Sequence, residues 1–272
     1  MIALQEFFYA ITAQGGWFLW LIHRPFWLMT AIIVGSGVLM TVVGILLTHN
    51  YVITQRLIAN NLVATAKFVF MSQVFTGMLA FIMVEAGTRY ANAESHIFNE
   101  TEALRNLSQV VGHMPKEVSR SFQKKVAVYA KAVVETEWTR MESGDDSPFA
   151  TEAFNALIEE YFSIEPHSDH EQSLLRLGNL IVTQVVEGRT SRLNNNVSQD
   201  IATLTWVSMT GLVGITIMFN WFFGSPNLRS QLAMGVVLSI CILSCVVMTF
   251  LLGNPFAGET AVEPTPFRQF YL

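Results

Sequence analysis

Charge is scarce in this sequence: Asp, Glu, Lys and Arg together make up 14% of its 272 residues, against roughly one quarter in a soluble domain. That shortage argues against a chain that folds wholly in water. The net charge of −5 is mild, and no stripe of Lys and Arg interleaved with aromatics occurs, so no nucleic-acid partner is expected. Cysteine is nearly absent. Cys241 and Cys245 stand one helical turn apart inside an apolar run, where they pack as small apolar residues and carry no redox message. Catalytic patterns are missing too: there is no Gly-rich phosphate loop ending in Lys-Ser or Lys-Thr, no Gly-x-Ser-x-Gly elbow and no His pair at zinc-helix spacing. The expectation is therefore no enzyme and no cofactor. Glu165, His167, Asp169, His170 and Glu171 are the best metal candidates, but helix capping and solvation account for them, and no metal site is expected. The first residues lack a basic start and include Glu6, Gln14 and Gly15-Gly16, which argues against a cleavable signal peptide.

What the chain has in excess is apolar sequence, 51% of it, gathered into long runs. Crossing about 30 Å of hydrocarbon takes around 20 apolar residues in a helix, because lipid satisfies no backbone polar group. Four stretches reach that length: 27–47, 62–84, 202–223 and 232–252. The first is uncharged, with Arg24 and Trp27 at one edge and His49 and Tyr51 at the other as interfacial anchors. The second contains Lys67 and Gln73, which a helix facing only lipid would avoid. Between the third and fourth, Gly224-Ser225-Pro226-Asn227 is long enough only for a tight hairpin. Ahead of them all, residues 1–26 mix Phe7, Phe8, Tyr9, Trp17, Phe18 and Trp20 with polar residues, as suits a segment lying in the interface.

Residues 85–200 are charged and polar with helical spacing, and form the expected water-soluble domain. Helices are predicted from about Tyr90 to Val111, from Pro115 to about Met141, from Ala150 to Phe162, and from a capping box at Ser168–Glu171 to about Leu193. The reading is an all-α membrane protein: transmembrane hairpins at 27–84 and 201–253 flank this domain, and 254–272 is a C-terminal tail. With four spans, both termini and the domain share one side. Near the span ends that side carries Arg24, Arg89, Arg189, Arg192 and Arg268 against Arg56 and Arg229 opposite, so the positive-inside rule places it in the cytoplasm.

Lys67 admits two readings. Its stem can snorkel to the headgroups, being about 7 Å inside the span. Alternatively it faces water inside an oligomer, where a ring of ammonium groups would concentrate anions. At 100° per residue its face continues through Met71, Val74, Met78 and Phe81 to Glu85, so an apolar stripe lies between two charges. Around a pore such a stripe forms a constriction that conducts when wetted. Gly35, Ser36, Gly37, Gly211, Gly214, Gly235 and Ser239 mark places where membrane helices can approach closely.

Against this layout, Asn254-Pro255-Phe256-Ala257-Gly258-Glu259 is similar to the Asn-Pro-Phe-Gly-Glu signature of bestrophin anion channels. Tyr129, then Glu137-Trp138, then Arg189-x-x-Arg192-Leu193, then a span bearing Trp206, then Asn254-Pro255-Phe256-x-Gly258 resembles the bestrophin-like group of bacterial membrane proteins from about Leu62 onward. The resemblance implies a homo-oligomer, five subunits in bestrophins proper, in the bacterial inner membrane. Its pore would be lined by the second span, Lys67 through Phe81, and pass chloride or other small anions. Departures are visible. An alanine precedes Gly258, Thr260-Ala261-Val262 stands where animal bestrophins carry an acidic calcium-binding run, the second span lacks the neck prolines, and Asn194-Asn195-Asn196 replaces a proline before the third span. Without reference to family, each matched residue has a plain structural role. Pro255 ends a helix, Phe256 anchors at the interface, Trp138 packs in a core, and Arg189 and Arg192 pair with Glu187 or acidic headgroups. A rival function also stands: a membrane-anchored signalling or scaffold protein whose soluble helices bind a partner.

Overall fold

The computed structural model describes residues 24–51, 58, 61–142, 145–197, 200–223, 225 and 227–271. The aromatic segment expected to lie in the interface thus falls almost wholly outside the described residues, and of Trp206 only the backbone is described. Every regular element among the described residues is helical. In chain order these are α1 (Phe26–Tyr51), α2 (Asn61–Gly112), α3 (Lys116–Ala132), α4 (Trp138–Met141), α5 (Pro148–Phe162), α6 (Asp169–Val197), α7 (Asp200–Asn220), α8 (Leu228–Gly253) and α9 (Thr265–Arg268), with a π-helical segment, Val133–Glu137, joining α3 to α4.

The largest departure from the sequence reading is α2. The second apolar run and the first polar helix, expected as separate elements, form one helix of 52 residues. Nothing between Glu85 and Tyr90 breaks it: the stretch has no proline, and Gly87 is a single tolerated glycine. Composition changes there, but backbone propensity does not. Elsewhere local capping sets the helix starts, and α5 opens at Pro148, two residues before the expected Ala150. Ser147 accepts a hydrogen bond from the Ala150 amide at 3.3 Å with Pro148 in the first turn of α5. Ser168 accepts from the Glu171 amide at 3.2 Å, while the Glu171 carboxylate accepts from the His167 amide at 2.7 Å. Glu171 is therefore occupied in starting α6.

The chain forms two compact units: the described residues of Met1–Thr88 with Asp200–Asn254, and those of Arg89–Gln199 with Pro255–Leu272. The first is apolar. Within the described residues three helices are long and apolar enough to cross a membrane, α1, α2 and α8, with mean hydropathies of 2.3, 1.7 and 2.7 over their best windows. The fourth expected span is α7, a helix of 21 residues. Packing inside this unit depends on small residues. A Cβ on Gly37 would meet Leu243, one on Gly44 would meet the Trp221 ring, and one on Gly235 would meet Ile45 and Asn220, each at under 3 Å. The Thr41 and Ser239 hydroxyls share a hydrogen bond of 2.6 Å between α1 and α8. Gly35, Gly211 and Gly214, also marked from sequence as contact points, have nothing within 4 Å of their virtual Cβ. Phe75 and Ile82 of α2 join Met209, Val213 and Ile217 of α7 in the core, and Phe68 stacks on Phe219 at 5.7 Å.

The second unit has a conventional core contributed by α2, α3, α5, α6 and the C-terminal stretch, with Leu104, Leu107, Phe122, Tyr129 and Leu157 fully enclosed. Residues 255–271, read from the sequence as a tail, belong to this core. Phe256 and Phe267 are buried, the Tyr90 hydroxyl donates to the Thr260 carbonyl at 3.2 Å, and Trp138 Nε1 donates to the Val262 carbonyl at 3.2 Å.

Candidate functional site

Inside the second unit the most unusual chemistry is a fully enclosed set of ions. Its geometry begins with α2, whose inward face reads Ile97, Glu100, Leu104, Leu107 and Val111, a charge set in an apolar stripe of helical spacing. A carboxylate there needs partners, because an unpaired buried charge is very costly. α6 supplies one. Gly188 lets α6 approach so closely that a Cβ at that position would lie 2.8 Å from the Glu100 Cα. One turn further on, Arg192 Nε donates to Glu100 Oε2 at 2.7 Å.

The second carboxylate comes from the π-helical segment. One wider turn between α3 and α4 places both Glu137 and Trp138 against the core, and Glu137 is wholly buried. Arg192 Nη2 donates to Glu137 Oε1 at 2.6 Å, Arg189 Nη2 donates to Glu137 Oε2 at 2.6 Å, and Arg189 also donates to the Thr151 hydroxyl at 3.1 Å. The Tyr129 hydroxyl donates to Glu100 Oε1. Met141 Sδ receives Arg192 Nη1 at 3.1 Å. Aromatic faces enclose the guanidinium groups: Arg189 lies 4.9 Å from the Phe154 centroid, and Arg192 lies 5.5 Å from that of Phe267 and 5.8 Å from that of Trp138.

Two cations therefore meet two anions, and the cluster is neutral. Burial pushes the Tyr129 hydroxyl well above the usual phenol range, and the nearby Glu100 charge pushes it further, so it stays protonated as a donor. For Arg192, burial alone would weaken the charged form, but Glu100, Tyr129 and Glu137 outweigh it and hold the guanidinium ionised. A cluster of this kind adds little net stability over apolar packing, yet removing one member leaves a buried charge exposed to nothing. Its chemical capacity is to lock α2, α3, α5, α6 and the π segment in one arrangement.

The residues matched by resemblance thus do different things. Arg189 and Arg192 do not pair with the exposed Glu187, nor are they free for headgroups; their partners are Glu137 and Glu100, on elements 52 and 92 residues away in sequence. Trp138 meets Phe256 edge to face at 5.8 Å, which places Phe256 in a protein core and not as an interfacial anchor. Asn254 Nδ2 donates to the Phe250 carbonyl at 2.8 Å and closes the end of α8 ahead of Pro255. Gly258 is the one described residue with positive φ, 83°, where a side chain would be strained. The Asn-Pro-Phe-Ala-Gly stretch is a helix stop followed by a turn that delivers Phe256 to Trp138. Glu100 was missed by the sequence reading, although a lone acid at a core position of α2 was a visible signal.

On α2 in the apolar unit, the face from Lys67 to Glu85 is outward. Val74, Met78 and Phe81 are 47%, 41% and 73% exposed, Lys67 and Glu85 are exposed, and Met71 is half-buried. Phe75, Ile82 and Ala86, about a quarter turn round the same helix, are buried.

No curated protein and no solved structure matches the chain. The model of the bestrophin-like domain matches residues 36–267, which takes in α2, the buried ion cluster and the Asn254–Gly258 turn. A match over most of the sequence, on a helical scaffold with several membrane-length apolar helices, shows that this chain belongs to the bestrophin-like family of channel-type membrane proteins.

Proposed function

We propose that the protein assembles as a homo-oligomer and passes chloride or other small anions through a central path lined by Lys67, Met71, Val74, Met78, Phe81 and Glu85 of α2. The observation that carries this reading is the exposed α2 face itself: an apolar stripe between a cation and an acid, in a member of a channel-type family. Lys67 lies inside the apolar run, where a helix facing only lipid avoids charge and a water-filled path accepts it. Lys67 raises the local anion concentration at one mouth. Like charges about 10 Å apart repel by roughly 0.4 kcal/mol per pair in water, so a hydrated ring of Lys67 is tolerable. The stripe from Met71 to Phe81 acts as the constriction, conducting when wetted and closing when dry.

In this reading the second unit and both termini are cytoplasmic. Arg189 and Arg192 are consumed by the buried cluster of the folded protein, which leaves Arg24, Arg89 and Arg268 against Arg56 and Arg229 as span-end charges. Reconstitution in planar bilayers tests the function. Anion-selective conductance is expected, with Lys67→Glu shifting the reversal potential toward cation selectivity in a salt gradient. A silent bilayer across voltage and pH, or an unaltered ion preference in the variant, overturns the reading.

A further inference from the structure

Two helices of the second unit carry opposite charge on their outer faces. Across its 17 residues, α3 holds five cations, Lys116, Arg120, Lys124, Lys125 and Lys131, against one acid, Glu117. Residues 145–162, α5 and its lead-in, hold five acids, Asp145, Asp146, Glu152, Glu159 and Glu160, and no cation. Among the described residues these two sets of charges do not pair with each other; Lys131 instead lies 3.8 Å from Glu135 of the π-helical segment. No ion pair among the described residues joins the two helices, which pack through Phe122 on Tyr161 and Tyr129 on Phe154 and share a hydrogen bond from Ser121 to Glu160.

Both outer faces are also partly apolar. On α3, Lys116, Arg120, Lys124 and Lys131 share a stripe with Val128, which is 51% exposed. On α5 an open groove of about 640 Å³ runs past Asp146, Thr151, Glu152, Asn155 and Glu159, and Phe149 and Phe162 stand on the same helix at 57% and 65% exposure. Large exposed apolar side chains framed by charge of one sign mark an interaction surface. The occupant such a surface fits is a cationic helix with an apolar centre, and α3 is one.

We propose that the outer face of α3 in one copy of this chain docks on the acidic face of α5 in the next. Arg120 lies beside Glu159, Lys124 beside Glu152, and Val128 covers Phe149. Repeated head to tail, a contact between two different patches is heterologous and can close into a ring, whereas the same patches paired reciprocally about a two-fold axis would stop at a dimer. The charges select the partner and its register, and the Val128–Phe149 contact contributes apolar burial. The proposal rests on the assembly in the function proposed above and is independent of conduction.

The test uses the full-length protein in nanodiscs with Cys241 and Cys245 replaced by Ser. Lys124→Cys with Glu152→Cys, oxidised and run without reductant, is expected to give a ladder of covalent oligomers. A charge-reversed pair keeps the result interpretable if a single variant folds poorly. Lys124→Glu alone is expected to lower the cross-linked fraction several-fold in a bis-cysteine pair at Arg120 and Glu159, and Lys124→Glu with Glu152→Lys is expected to restore it. Dimers with no higher rungs overturn the heterologous contact. An oligomer by mass photometry that never cross-links overturns the contact while leaving the assembly standing, and a monomer overturns both.

Discussion

The two units solve the same problem, holding helices together, with opposite chemistry. In the apolar unit the described contacts of α1 depend on having almost no side chain: Gly37 and Gly235 admit Leu243 and Ile45 between α1 and α8, Gly44 admits Trp221 from the turn after α7, and a hydrogen bond between Thr41 and Ser239 joins α1 to α8. In the polar unit α2 and α6 are joined by full charges, Glu100 to Arg192, bonded further to Glu137, Arg189 and Tyr129. Lipid explains the first choice. Apolar side chains gain nothing by leaving hydrocarbon for one another, so close packing and sparse polar contacts must supply the association. Water explains the second: a hydrophobic core of Leu, Phe and Tyr can carry the energetic cost of enclosing two ion pairs.

The comparison breaks most sharply at Arg192. Arg192→Ala leaves Glu100 and Glu137 buried without their shared cation, and a loss of about 3–5 kcal/mol is expected in the polar unit. The readout is limited proteolysis: sites within 89–199 become cleavable, while the apolar helices stay protected in detergent. Arg189→Ala removes one of two cations from Glu137 and the bond to Thr151, and about 1.5–3 kcal/mol is expected. Equal sensitivity of the two variants would show that the cluster is not centred on Arg192.

Glycines sharpen the contrast. Gly188→Ala drives a Cβ to 2.8 Å from backbone of Glu100, which cannot rotate away, so α6 must withdraw and the Arg192 bonds stretch. A loss of about 1–3 kcal/mol is expected in thermal unfolding. Gly235→Ala meets the ends of Ile45 and Asn220, which can move, so its cost should be smaller, and Gly35→Ala meets nothing and should be neutral. The order Gly188, Gly235, Gly35 is the prediction, and a reversed order would show that helix contact in lipid is the tighter of the two.

How far the sequence discloses this divides along the same line. Run length locates the apolar helices α1, α7 and α8 to within a few residues, because a long apolar run is a length signal in itself. The capping box at Ser168–Glu171 marks its helix start because capping is local chemistry, whereas α5 starts two residues before the expected Ala150, at a Ser147-Pro148 signal that was read only as a break. Continuity of α2 was not legible: a change from apolar to charged composition looks like a boundary, whereas a helix ends only where its backbone is interrupted. The ion cluster was half legible. Glu137, Arg189 and Arg192 could be singled out by pattern, but their partners depend on tertiary approach, and Glu100 is joined to Arg192 across 92 residues through a gap that Gly188 leaves. The placement of Phe256 on Trp138 is of the same kind.

Alkaline pH is expected to act on the polar unit through two buried phenols, Tyr129 and Tyr161. Tyr129 is held protonated by burial and by Glu100, and burial raises Tyr161 to about 12. Raised phenol values mean that the unfolded chain gives up these protons first, so the stabilisation is complete below about pH 10 and is lost as pH climbs toward the folded values. Circular dichroism melts between pH 9 and 12 should fall steeply for the parent and less for Tyr129→Phe and Tyr161→Phe. Parallel slopes would exclude both phenols as the cause.

The smallest expected effect is the most diagnostic of the lipid side. Thr41 and Ser239 are buried, and Thr41 already donates to the Gly37 carbonyl at 2.9 Å in its own helix, so Ser239 is the donor between the two hydroxyls. A double-mutant cycle with Thr41→Val and Ser239→Ala should therefore give a coupling of only about 0.6 kcal/mol, since helices separated within a membrane keep local partners for such groups. The matching cycle in the polar unit, Tyr129→Phe with Glu100→Gln, should give about 1.5–3 kcal/mol, because the bond is to a charge and neither group has solvent to fall back on. Were the two couplings equal, the enclosed ion cluster would owe its strength to shape alone, and the charges would be replaceable by apolar side chains without loss.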